Sequence, residues 1–151
     1  MPNLPAAIGA GVSGICASDD IAEDQMSHAR EMMARTGTVI PVASEDALDR
    51  VTAVAGSGPG YVFEIARAYV EAARELGFDR REAEAMVLST LQGTIAMAQQ
   101  GDGTLEELRD SVTSKNGTTA AGLEALNGEG QLSTLFSRTL SAAYDRAVEL
   151  R

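Results

Sequence analysis

The sequence predicts a mainly α-helical protein preceded by a short βαβ segment. Two observations predict it. From Ser44 onward apolar residues recur at helical spacing between clear start and stop signals. Before that point the texture is different: two short β-leaning runs flank one acidic-started helix, which is the grammar of a parallel sheet. The boundary falls near Ala43–Ser44, giving residues 1–43 and 44–151 as separate regions. A parallel strand pair needs both faces covered, so residues 1–43 look like the tail of a domain whose beginning is absent.

In order along the chain, Val12 to Ser18 is the first β-leaning run. Ser18-Asp19-Asp20 then opens a helix with acid in its first turn, striped by Ile21, Met26, Ala29, Met32 and Met33, and Gly37 ends it. Thr38 to Val42 is the second strand, which Pro41 places at an edge. Ser44 caps a helix carrying Leu48, Val51, Thr52 and Ala55. The turn Gly56-Ser57-Gly58-Pro59-Gly60 follows, and Pro59 starts the next helix, which Gly77 stops. Asp79 with Glu82 forms a capping box for a third helix running past Ala98, and Gly93 within it suggests close approach of another helix. Thr104 with Glu107 caps a short helix reaching Val112. Ala120 to Leu126 is helical and stops at Asn127-Gly128. The last helix carries Leu132, Leu135, Phe136, Leu140, Ala143, Ala147 and Leu150, a face broad enough for more than one neighbour.

Bulk composition narrows the function. The 151 residues are 44% hydrophobic and 23% charged, enough apolar surface for a core. Asp and Glu total 22 against 12 Lys and Arg, a net charge of -10. Such a balance carries no basic footprint for nucleic acid and does not suit an anionic membrane surface. The single cysteine, Cys16, reads as a small buried hydrophobe, and a chain without an internal disulfide fits a cytoplasmic setting. No Cys/His cluster has the spacing of a metal site, and the lone His28 reads as a surface residue.

The stretch from Val112 to Leu123 carries the chemistry. It is a polar loop running into a helix, with four hydroxyls, Gly117, Gly122 and the only lysine, Lys115. Helix starts leave backbone N–H groups unpaired under a partial positive charge, so hydroxyls there can hold a small carboxylate. Simple capping explains the same residues, and Lys115 reads as a solvated cation that attracts anions at long range. Ser57 among glycines has the letters of a hydrolase elbow. A helix precedes it and no His/acid pair accompanies it, so it reads as a turn residue.

Three segments, in order, resemble the pyrroline-5-carboxylate reductase family. Met1-Pro2-Asn3-Leu4-Pro5-Ala6 is similar to its M-P-N-T-P-A, and Val51-Thr52-Ala53-Val54-Ala55-Gly56-Ser57-Gly58-Pro59-Gly60-Tyr61-Val62-Phe63 to its V-T-A-L-S-G-S-G-P-A-Y-V-F. Leu108 to Ser114, continuing through Gly117-Thr118-Thr119 to Gly122-Leu123, resembles L-R-x-x-V-T-S-P-G-G-T-T-x-x-G-L. The chain departs from the family at Lys115-Asn116, in place of Pro-Gly, and at Ala55 and Gly60.

The resemblance implies that residues 1–43 are the C-terminal remnant of a Rossmann-like dinucleotide-binding domain. It implies that residues 44–151 are a helical dimerisation and substrate-binding domain, forming a homodimer and in many members a decamer. The implied reaction is NAD(P)H-dependent reduction of 1-pyrroline-5-carboxylate to L-proline. Ser114, Gly117 and Thr118 would hold the substrate carboxylate. Thr119 would bond the ring nitrogen as the catalytic residue, and Asn3 would lie on the nicotinamide side. The cofactor fingerprint is not found: Gly9 to Gly14 has the letters G-x-G-x-x-G but leads into a β-leaning run rather than a helix. Little or no turnover by this chain alone is therefore expected. The alternative is a non-catalytic helical dimerisation module or a small-carboxylate-binding domain.

Overall fold

The computed structural model describes residues 1–18 and 20–151. A 3₁₀ turn at Leu4–Ile8 is followed by β1 (Gly11–Ile15), α1 (Glu23–Ala34) and β2 (Gly37–Pro41). Then come α2 (Glu45–Val51), a π-turn (Thr52–Gly56), α3 (Gly58–Glu75), α4 (Arg80–Gln100), α5 (Leu105–Ser111), α6 (Thr118–Asn127) and α7 (Gln131–Glu149). The chain forms two compact units, Met1–Phe63 with Phe136–Arg151, and Glu64–Leu135.

In the first unit β1 and β2 pair in parallel, Gly11 opposite Gly37 through Ile15 opposite Pro41. The βαβ order read from the sequence is present, with shifted bounds. The expected helix start at Ser18–Asp20 does not hold: α1 begins after Ala22, whose N–H donates to the Gln25 side chain, and Asp19 lies outside the described residues. Gly37 does not end α1 but opens β2. Its φ of 136° and the approach of Gly11 backbone leave no room for a side chain. Gly14 serves the same end on β1, letting Leu48 and Val51 of α2 pack against the strand. Ser44 caps α2 by accepting from Ala47 N–H at 3.1 Å.

In the second unit, Val70 and Ala73 of α3 pack on Ala83 and Val87 of α4, with Leu91 against them. Gly77 (φ 103°) turns the chain between them, and the Asp79–Glu82 capping box starts α4 as expected, with bonds of 2.9 and 3.0 Å.

Much apolar surface lies outside these cores. The broad face of α7 is half-buried at Leu132, Phe136, Leu140, Ala143 and Ala147, and no residue of the helix is fully buried. Leu76, Leu105 and Met97 are 82%, 70% and 65% exposed. Gly93 of α4 faces open space, without the close helix that its presence suggests. Exposed apolar side chains mark an interaction face where they adjoin one another. Among the described residues no helix is long and apolar enough to cross a membrane.

Candidate functional site at the start of α6

The loop before α6 is built by the end of α5. Ser111 and Thr113 turn their hydroxyls back onto the carbonyls of Leu108 and Arg109, each at 2.7 Å, and so close the helix. The chain then makes one tight turn in which Gly117 N–H donates to Ser114 O at 3.0 Å. Asn116 occupies the left-handed region at φ 62°, the position that Asn tolerates best after Gly. At Gly117 a β-carbon would collide with Ser114 Oγ, so only glycine fits there without displacing Ser114.

Gly117 is the N-cap of α6 and offers no side chain to the helix start. The first ladder bond runs from Ala121 N–H to Gly117 O at 3.2 Å. Among the described residues, the N–H groups of Thr118, Thr119 and Ala120 have no acceptor, and the hydroxyls of Ser114, Thr118 and Thr119 make no hydrogen bond. Ser114, Thr118 and Thr119 are exposed, and Gly117 is half-buried. Three amides and three hydroxyls without protein partners thus lie between Ser114 and Ala120 at the positive end of a helix, an arrangement suited to a small anion. Beside it, Thr119 borders an apolar pocket of about 360 Å³ between α4, α5 and α6, lined by Ile95, Leu105, Leu108, Val112 and Leu123.

Asn3 lies in the other compact unit. Its carboxamide donates to Ala55 O and accepts from Val12 N–H, both at 2.9 Å. It borders a second open pocket, about 430 Å³, with Pro5, Val12, Val54, Val62 and Phe63. Ser57 follows a helix and π-turn rather than a strand, and His28 is exposed on α1, so no hydrolase triad assembles among the described residues. Among the described residues no three His, Cys, Asp or Glu side chains are grouped to hold a metal. The π-turn itself went unread in the sequence. Its signal was present: Pro59, four residues after Ala55, removes an amide that a continuing α-helix needs.

Residues 45–150 match the family described as pyrroline-5-carboxylate reductase dimerisation. The chain belongs to that family. A pyrroline-5-carboxylate reductase of Staphylococcus aureus (strain COL) is 37% identical over 150 residues, covering 99% of this chain and 55% of the relative. The chain thus spans about half the length of the curated relatives it matches. A solved pyrroline-5-carboxylate reductase from Coxiella burnetii superposes with a TM-score of 0.94 at 39% identity, over 99% of this chain and 55% of that one. The Plasmodium falciparum pyrroline carboxylate reductase, solved with NADP bound, gives 0.89 at 25% identity, over 97% and 59%. Membership in the pyrroline-5-carboxylate reductase dimerisation family bears out the resemblance read from the three motif segments.

Proposed function

We propose that this chain is the subunit-pairing and substrate-binding portion of a pyrroline-5-carboxylate reductase, which reduces 1-pyrroline-5-carboxylate to L-proline in the cytoplasm. The carrying observation is the set of unpaired amides and hydroxyls at the start of α6. The substrate presents a carboxylate beside a C=N bond. Ser114, Gly117 and Thr118 would hold the carboxylate, and the Thr119 hydroxyl would donate to the ring nitrogen as that nitrogen gains its proton. The pocket next to Thr119 offers an apolar wall to the ring's methylene groups. Lys115 would raise the local concentration of the anion against a net charge of -10.

A nicotinamide dinucleotide supplies the hydride in this reaction. The described residues do not fit a whole dinucleotide. The G-x-G-x-x-G letters at Gly9–Gly14 run into β1 instead of a helix start, so they form no pyrophosphate cradle. The chain is therefore expected to oxidise little NAD(P)H on its own, and by the family resemblance to pair as a homodimer through residues 44–151, a dimer that can build a decamer.

Binding measurements with proline and with prolinamide test the site. Proline should bind the pure chain, and prolinamide, which lacks the anionic carboxylate, should bind at least roughly tenfold more weakly, the worth of a charge-assisted bond. Equal binding of the two, or binding of neither, leaves a dimerisation module without a substrate site.

A further inference from the structure

Ala55 is the next-to-last residue of the π-turn, and the residue four places on is Pro59, which has no N–H. Its carbonyl therefore loses the donor that a continuing α-helix would bring. The Asn3 carboxamide supplies one from 52 positions away, Nδ2 donating at 2.9 Å. The same carboxamide accepts from Val12 N–H at 2.9 Å, and Asn3 N–H donates to Val12 O at 3.1 Å. Turning the amide over would set donor against donor and acceptor against acceptor, so its orientation is locked. Asn3, Val12 and Ala55 all line the 430 Å³ pocket. One side chain thus ties together three of the segments that wall the pocket. The neighbouring Met1 reinforces the tie, its Cε standing 3.1 Å from where a Gly56 β-carbon would be.

From this arrangement we infer that Asn3 is a positioning residue. It fixes the π-turn against β1, and so sets the shape of the pocket and the path of the Gly56–Gly60 turn along its wall. The use of the pocket as part of a reductase site rests on the proposed function; the tie itself does not. Aspartate cannot replace Asn3, because it keeps the acceptor for Val12 but turns an oxygen toward the Ala55 carbonyl. Leucine removes both bonds at similar volume.

Residue-resolved NMR on the 151-residue chain tests the inference through two variants. In Asn3→Leu, hydrogen-exchange protection at Val12 N–H should fall on the order of tenfold and the amide resonances of Gly56 to Gly60 should shift. In Asn3→Asp, Val12 N–H should keep its protection while the Gly56 to Gly60 resonances still shift. This split separates positioning from general support. Uniform loosening of the first unit, with Gly56 to Gly60 moved no more than β2, overturns the inference, and so do unshifted resonances in both variants. If Asn3→Leu does not fold, Asn3→Asp decides alone. No ligand enters this readout, so its failure counts against Asn3, whereas failure to bind proline counts against the proposed function.

Discussion

The Tyr144 phenol donates a hydrogen bond to the Asp46 carboxylate at 2.5 Å, joining α7 to the first turn of α2 from 98 positions away. Arg50 binds the same carboxylate at 2.6 Å and stands 6.0 Å from the centre of the Tyr144 ring, and Arg151 pairs with Asp49 at 3.0 Å. The Tyr144 bond, followed by the charge of Arg50, holds Asp46 below its ordinary value, and the Asp46 bond holds Tyr144 above its own.

These directions set the pH dependence. A lowered carboxylate pKa contributes stability above the ordinary value of about 3.9, lost as pH falls through the lowered folded value. A raised phenol pKa contributes below about 10, lost as pH rises through the raised folded value. Tyr144→Phe should therefore lower Tm at neutral pH and flatten both flanks of the Tm–pH curve. Melting curves between pH 2 and 11 check this, and an unchanged profile would show the bond to be idle.

Ser13 is 1% exposed on β1, and its Oγ has no hydrogen-bond partner among the described residues. A buried hydroxyl without a partner costs more than the bond it fails to make. Ser13→Ala should raise the unfolding free energy by about 1 kcal/mol. Urea denaturation of the two chains measures it, and clear destabilisation would mean that the hydroxyl is satisfied.

Asp79 supplies the acceptor that starts α4. Its replacement by alanine should cost about 1 kcal/mol and lower Tm by about 3–4 °C. A smaller loss is expected from a variant of Asp24, which accepts from Gln25 N–H at 2.9 Å but stands inside the first turn of α1 rather than at its N-cap.

Gly117→Ala is expected to leave the fold intact, because Gly117 has an extended φ of -81° and Ser114 is exposed and able to move. Displacing Ser114 Oγ removes one donor from the anion site, so proline affinity should fall about tenfold with Tm nearly unchanged. Isothermal titration with a parallel melt separates these effects.

The helices and their caps were legible in the sequence because their causes are local. Ser44, Asp79 with Glu82, and Thr104 with Glu107 each act within one turn, and the structure has all three in place. The polar loop was legible for the same reason: Asn116 and Gly117 announce the turn that leaves the α6 amides free. Acidic residues at Ser18–Asp20 misled the reading of α1, since a run of acid favours a helix start without fixing its first residue. Gly37 misled it too, because a glycine needed for close strand approach looks the same as one that stops a helix. The Tyr144–Asp46 bond and the Asn3 tie were invisible, since each partner is specified only by a tertiary contact across the chain.

If the start of α6 grips a carboxylate through its own backbone, titration of the labelled chain with proline reads the contact at the amides themselves. Saturable shifts centred on the amides of Thr118, Thr119 and Ala120, with Ser114 and Gly117 following, are the predicted result. Saturating proline that leaves these five resonances unmoved, or that moves residues elsewhere instead, would contradict it.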